Sequence, residues 1–199
     1  MTQRSNVFEF KVVILGDSGV GKSCVMNRFL YNRFDPNHAA TIGLDFGTKN
    51  ICYKNMVTKL RLFDTGGHER FESVNRVYYK HTDGVILMCD INDIMTQSNL
   101  GKWMDEVNKF IKYENKNVPV YIVYNKIDLV MNDSHIDDTV FNFATSNKLP
   151  YFVTSAVTNY NIDEMFVQLT NEMVSTYDHE NEKKALSIFT VDKSNLVCC

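Results

Sequence analysis

The chain has 199 residues, 44% of them hydrophobic, enough for one well-filled core and too few for two full domains. Its formal net charge of -3 leaves no electrostatic footprint for nucleic acid, which calls for a basic stripe or face. Five cysteines, an odd number without metal-ligand spacing, argue for a reducing intracellular compartment over a disulfide framework.

The N-terminal MTQRSNVFEF has no long apolar core before a small-residue cleavage site, so no signal peptide is expected. FEFKVVILG at 8–16 reads as a first strand. It runs straight into Gly16-Asp17-Ser18-Gly19-Val20-Gly21-Lys22-Ser23, which fits G-x-x-x-x-G-K-[ST] at every fixed position. Glycines let such a loop curl until successive N–H groups face phosphate oxygens, at the positive end of a helix expected over 22–31. Lys22 would then reach the terminal phosphates, and the Ser23 hydroxyl would ligate Mg²⁺. A Gly-rich turn without a ligand is the bland alternative; the strand before it and the helix after it argue against that.

ICYKN and MVTKLRLFDT flank Lys54 and Asn55 as a hairpin, which adds one antiparallel edge to the sheet. A helix is expected over 71–79. GVILMCDI at 84–91 and VPVYIVYN at 118–125 are apolar on both faces, as strands covered by helices on both sides should be; a helix over 96–112 lies between them. Asn125-Lys126-Ile127-Asp128 closes the second of these strands, at the end where ligands of open α/β sheets collect. The Asp128 carboxylate can accept hydrogen bonds from N1–H and the exocyclic amine of guanine, a donor pair that adenine lacks. A loop that only caps a helix is the competing reading. After a helix over 136–147, YFVTS at 151–155 forms a further strand. Thr154-Ser155-Ala156 there puts backbone N–H groups where a guanine carbonyl would lie. A last helix is expected over 161–177. The alternation of strands and helices specifies an α/β domain with a largely parallel sheet, and no run of about 18 apolar residues predicts a membrane span.

In this order, GDSGVGKS, TIGLDF, DTGGHERF, NKID and TSA resemble the Ras superfamily of small GTPases. Ile42-Gly43-Leu44-Asp45-Phe46, Lys59-Leu60-Arg61-Leu62-Phe63-Asp64, Arg70-Phe71-Glu72-Ser73-Val74 and Tyr78-Tyr79-Lys80 resemble its Rab branch. The likeness covers about Phe8 to Tyr177. It implies a three-layer P-loop small GTPase fold over 1–177, with a six-stranded, mostly parallel sheet, one antiparallel edge strand and five flanking helices. It also implies a GTP/GDP switch that hydrolyses GTP with Mg²⁺ and recruits effectors during vesicle trafficking.

The same resemblance assigns residues. Ser18, Gly19, Val20, Gly21, Lys22, Ser23 and Cys24 would hold the phosphates, while Asn125, Lys126, Asp128, Ser155, Ala156 and Val157 would hold the base. Phe34 would pack on the base edge, or have only a local packing role. Ser23 and Thr41 would ligate Mg²⁺, with Asp64 holding it through water; a strand-end turn carboxylate is the alternative for Asp64. Thr41 and the Gly67 N–H would close on the γ-phosphate, so that hydrolysis releases both switches. Lys22, Thr41, Gly67 and position 68 would make up the catalytic set. Ile42, Gly43, Leu44, Asp45 and Phe46 in the first switch, with Phe63, Glu69, Arg70, Phe71 and Tyr78 in or near the second, are effector-contact candidates. Implied partners are effectors, an exchange factor, an activating protein, an escort protein and a GDP-dissociation inhibitor. The implied protein is a monomer at the cytoplasmic face of an intracellular membrane, cycling with cytosol.

Four positions depart from the family pattern. His68 stands where glutamine is usual, and its rigid imidazole cannot accept from water and donate to phosphoryl oxygen at the same angles, so slow intrinsic hydrolysis is expected. Two other readings of His68 are a tolerated surface residue and a titrating group. Gly66 replaces alanine, which is expected to loosen the second switch. Val157 replaces lysine, removing a side chain over the base, and Phe63 replaces tryptophan with little expected change. A GTP-loaded membrane scaffold with negligible hydrolysis is the competing function. A P-loop kinase of small metabolites leaves NKID and TSA unexplained.

Residues 178–199 lose periodicity and read as a flexible tail. Its terminal Cys198 and Cys199 resemble a double geranylgeranylation site. With Lys183, Lys184 and Lys193 against four acidic residues there is no polybasic patch, so two lipid chains would carry the anchoring.

Overall fold

The structure is a computed structural model that describes residues 8–37, 41, 43–53, 56–66, 79–111, 118–130 and 141–192, the side chains of 53, 56 and 178–192 excepted. Its strands are β1 (Phe8–Gly16), β2 (Leu44–Tyr53), β3 (Met56–Thr65), β4 (Gly84–Asp90), β5 (Val120–Asn125) and β6 (Tyr151–Val153). Its helices are α1 (Lys22–Tyr31), α2 (Ile94–Ser98), α3 (Leu100–Phe110), α4 (Asn142–Ser146) and α5 (Ile162–Asp192).

The strands form one sheet in the order β2-β3-β1-β4-β5-β6. All neighbours pair in parallel except β2 and β3, which pair antiparallel from Leu44↔Thr65 to Tyr53↔Met56. The expected antiparallel edge is therefore present, though β2 begins at Leu44 rather than at Ile51. Asp45, Gly47 and Asn50 are poor strand formers, and pairing along β3 outweighs their local preference. Lys54 and Asn55 lie outside the described residues.

Side-chain alternation along the central strands splits the core into two layers. Val12, Ile14, Ile86, Met88 and Val123 face α1 and α5, meeting Met26, Phe29, Phe166 and Leu169. Val13, Leu15, Val85, Leu87 and Ile122 face α3 and α4, meeting Leu100, Trp103, Val107 and Ala144. A helix layer on each face of the sheet is the three-layer arrangement that the doubly apolar strands require.

The helix expected over 96–112 is two helices, parted at Asn99. Asp93 caps α2 by accepting from the Met95 N–H at 2.9 Å, and the Asn99 N–H closes that turn on Met95 O at 3.1 Å. Of the helix expected over 136–147, α4 starts only at Asn142, and residues 131–140 lie outside the described set, as do 71–78 of the helix expected over 71–79. The helix α5 continues past Tyr177 to Asp192. Its inward stripe of Met165, Phe166, Leu169, Met173 and Val174 is buried. The run ENEKKAL that follows is rich in strong helix formers, whose intrinsic preference favours helical backbone. Among the described residues no helix is long and apolar enough to cross a membrane.

Candidate functional site

In this sheet β1 and β4 are neighbours, and the connections that follow them lead in opposite directions, toward β3 and toward β5. The crevice outside the carboxyl ends of such a pair is where α/β sheets bind ligands. The glycine-rich loop after β1 lies there. Lys22 opens α1 but is only 5% exposed, and its ammonium donates to Gly16 O and Asp17 O, each at 2.8 Å. Burial lowers its pKa to about 8, against the pull of the Asp64 and Asp17 carboxylates. The loop thus carries a desolvated cation that rests on two neutral carbonyls, a strong attractor for an anion.

The loop is tied to the other two sequence motifs by Asn125. This side chain is buried; its Nδ2 donates to Val20 O at 3.0 Å, and its Oδ1 accepts from Thr154 Oγ1 at 3.1 Å. Gly21 sits at φ 96°, and a Cβ there would lie 2.5 Å from Asn125 Nδ2, so both its conformation and the contact require glycine.

A second cluster is built of oxygen. Ser23 Oγ lies 2.6 Å from Thr41 Oγ1 and donates to Asp64 Oδ2, and Thr41 Oγ1 reaches the same carboxylate oxygen at 3.4 Å. Asp64 is fully buried at the end of β3. Burial raises its pKa, an effect opposed by the Ser23 hydrogen bond and by Lys22. Its other oxygen, Oδ1, is buried without a hydrogen-bond partner among the described residues. Two hydroxyls and an incompletely satisfied carboxylate are hard oxygen donors, which fit Mg²⁺.

Gly66 is placed differently from its sequence reading. Its N–H donates to Gly43 O at 2.9 Å. A Cβ at Gly66 would approach Thr41 O to 2.8 Å and Gly43 O to 3.0 Å, both backbone atoms. The missing methyl group lets the chain around Thr41 and Gly43 settle directly on the turn after β3. Beside the backbone freedom read from the sequence, glycine here permits close backbone contact.

On the far side, Ser155 Oγ donates to Asp128 Oδ1 at 2.5 Å and accepts from the Thr158 N–H at 3.1 Å. Lys126 adopts φ 68° and pairs with Asp90 at 2.8 Å, while Asn92 Nδ2 holds Lys126 O at 3.1 Å. Arg28, absent from the sequence reading, spans the gap between α1 and the loop after β6. Its Nε donates to Ala156 O at 2.8 Å and its Nη2 to Val157 O at 3.0 Å. In sequence it is merely a basic residue in the last turn of a helix; no spacing links it to Ala156. Asp90 and Asn92 were missed for the same reason.

The remaining candidates divide. Ser18 and Gly19 are exposed at the loop tip, Val20 is buried and Cys24 is half-buried, its thiol pushed up by burial. Phe34 is half-buried and packs against the first core layer. Val157 is 46% exposed. Phe46 is 64% exposed and stacks on the buried Phe63 with ring centroids 6.2 Å apart, so phenylalanine at 63 does keep an aromatic there. Leu44 is packed on the second core layer, and Asp45 is exposed, with its Oδ1 accepting from the Phe46 N–H. Ile42, Gly67, His68, Glu69, Arg70, Phe71, Tyr78, Cys198 and Cys199 lie outside the described residues.

Comparison with known proteins bears on the same region. The Ras family model matches residues 11–175. Ras-related protein Rab-1D of Dictyostelium discoideum is 36% identical over 83% of this chain and 80% of its own length. Rab-1A of the same organism is 33% identical over 94% and 89%, and RABG3a of Arabidopsis thaliana 35% over 86% and 85%. Small GTPases of this family are GTP hydrolases, and the crevice has the buried lysine, oxygen cluster and asparagine-tied loops that such chemistry calls for. The chain belongs to the Ras family and, within it, to the Rab-type small GTPases.

Proposed function

We propose that this Rab-type GTPase is a membrane-trafficking switch whose nucleotide lies across the β1, β5 and β6 loops. The observation that carries the reading is the oxygen cluster of Ser23, Thr41 and Asp64 beside the buried Lys22. Lys22 would leave its loop carbonyls for the terminal phosphates. Ser23 and Thr41 would turn their hydroxyls to Mg²⁺, with Asp64 beyond a water. Mg²⁺ held there would neutralise phosphate charge as it builds up during hydrolysis. Asp128, oriented by Ser155, would accept from guanine, with the backbone of Ser155, Ala156 and Val157 at its carbonyl.

Thr41 and the Gly66–Gly43 contact tie the first switch to the second. Loss of the γ-phosphate, with the anchor it gives Thr41 and Gly67, would release the surface that includes Phe46 and Phe63, and so signal nucleotide state to effectors. Exchange factor, activating protein and GDP-dissociation inhibitor would act on the same loops. The terminal Cys198 and Cys199 would carry two prenyl chains, delivered by an escort protein, on the segment that follows α5 after Asp192. Two chains anchor stably where one is marginal, in keeping with a protein that would work at the cytoplasmic face of an intracellular membrane.

Calorimetric titration of nucleotide-stripped full-length protein tests the core of this reading. GDP and GTP are expected to bind and ATP to give no heat, with Mg²⁺ tightening GDP by about tenfold or more. Asp64→Asn should lose most of that Mg²⁺ increment; an unchanged increment would remove Asp64 from the metal site.

The depressed pKa of Lys22 adds a pH dependence. Below pH 8 the free protein carries the ammonium; as pH rises through about 8 it is lost, while bound phosphate holds the proton on. Binding must then take up a proton, so GDP affinity should fall by about tenfold between pH 7 and pH 9. Lys22→Arg, whose guanidinium stays charged, serves as the reference. A ratio of the two affinities that stays constant over that range would overturn the prediction.

A further inference from the structure

Asp17 occupies the first variable position of the glycine-rich loop, where an anion repels any phosphate the loop holds. Its side chain is directed elsewhere. Oδ2 accepts from Asn99 Nδ2 at 2.7 Å, and Oδ1 accepts from Trp103 Nε1 at 2.8 Å. Both donors lie at the start of α3, on the opposite side of the sheet from α1 and α5. Trp103 is 8% exposed, so its N–H has little water to turn to. The main-chain oxygen of Asp17 meanwhile accepts from Lys22 Nζ. The residue that orients the lysine is therefore held in place from a helix on the other face of the sheet.

We propose that Asp17, Asn99 and Trp103 form a clamp that positions the phosphate loop, setting how long a guanine nucleotide stays bound. Asp17 is a positioning residue, acting through the loop backbone rather than on the nucleotide. The break between α2 and α3 acquires a reason: it leaves Asn99 at φ -81°, ψ -8°, ending one helix and opening the next while its amide reaches Asp17. Fixing the carboxylate between two donors keeps the loop's own negative charge off the phosphates and holds the loop backbone in place, the Gly16 and Asp17 carbonyls retaining the lysine until phosphate takes it over. Charge-assisted hydrogen bonds in a shielded site are among the stronger polar ties a protein makes. Trp103 is the chain's one tryptophan, so its emission reports on this contact without labelling.

The proposal rests on the phosphates lying on this loop, and the test separates the two. Full-length protein loaded with GDP in Mg²⁺ is followed for GDP dissociation in wild type, Asp17→Ala, Asn99→Ala, Trp103→Phe and Lys22→Ala. Trp103→Phe keeps a buried aromatic and removes only the N–H; Asn99→Ala, at a half-buried position, covers the case in which it fails to fold. GDP is expected to leave about tenfold faster from Asp17→Ala and about threefold faster from the other two clamp variants. Stripping GDP should change Trp103 emission in wild type and much less in Asp17→Ala. A purely structural tie would lower the melting temperature while leaving the dissociation rate and the nucleotide sensitivity of the emission as in wild type, and that result overturns the clamp. If Lys22→Ala still holds GDP as wild type does, the loop assignment fails and the clamp with it. If Lys22→Ala loses GDP while the clamp variants dissociate at the wild-type rate, the clamp alone fails.

Discussion

Asp128→Ala is expected to weaken GDP binding by about a hundredfold or more and to leave whatever binding remains indifferent to the base. The proposed contact pairs one carboxylate with two neighbouring N–H groups of guanine, and hydrogen bonds to a charged acceptor contribute about 1.5–3 kcal/mol each. Two of them account for a factor of about a hundred at the low end. The scaffold limits the collateral damage. Asp128 is exposed on a short 3-10 turn, Ile127–Leu129, whose backbone is held by the Ile127 N–H on Thr154 O at 3.2 Å and the Leu129 N–H on Lys126 O at 3.1 Å. Its side chain accepts from Ser155 Oγ, and that hydroxyl keeps the Thr158 N–H as a partner. The melting temperature of the nucleotide-free protein should therefore move little. Competition of GDP, ADP and inosine diphosphate for the stripped protein gives the readout: wild type should rank GDP first, and inosine diphosphate, lacking the exocyclic amine, should lose part of the advantage. Equal affinity of wild type and Asp128→Ala for GDP would assign the NKID loop to helix capping, the reading it competes with.

How much of this was legible in the chain differs by kind of residue. β1 was readable to the residue because FEFKVVILG is strongly apolar and stops at a glycine, and the parallel order followed from strands alternating with helices. Most of β2 was missed: Asp45, Gly47 and Asn50 carry no strand signal, and only pairing with β3 makes them extended. The split at Asn99 was invisible because its partner, the Asp17 carboxylate, is 82 positions away. In the site, Lys22, Ser23, Asn125 and Asp128 were readable because a loop that wraps phosphate or a base edge constrains several consecutive residues. Arg28 and Asp90 were not, because each acts through long-range contacts that leave no local pattern. Gly66 carries a role that its residue type does not announce. Composition suggests a freer chain, yet its missing methyl lets Thr41 O and Gly43 O approach, and a backbone distance of that kind is set by tertiary packing.

Replacing His68 by glutamine is expected to raise single-turnover GTP hydrolysis by about tenfold or more, less than the roughly hundredfold or more that a positioned proton-transfer group supplies, because histidine keeps one donor and one acceptor. The preceding residues fix where position 68 begins its reach: Asp64 is buried in the oxygen cluster, and the Gly66 N–H is hydrogen-bonded to Gly43 O, so the chain leading to position 68 leaves from an anchored turn. A glutamine amide there accepts from the attacking water and donates to the phosphoryl oxygens at once. A neutral imidazole has one acceptor and one donor on a rigid ring at other angles, and imidazolium has donors only. GDP affinity should be unchanged by the substitution, since nothing in the proposed nucleotide contacts involves position 68. Three outcomes discriminate. A faster His68→Gln variant supports a slow but working enzyme. Equal rates that are flat from about pH 6 to pH 8 would make His68 a bystander. A wild-type rate that changes across that interval, while His68→Gln stays flat, would make the imidazole a titrating participant. The nucleotide carried through gentle purification decides between switch and scaffold: mostly GDP means that turnover, however slow, is complete within the protein's lifetime in the cell, and mostly GTP means that His68 has turned the enzyme into a persistent GTP-bound platform.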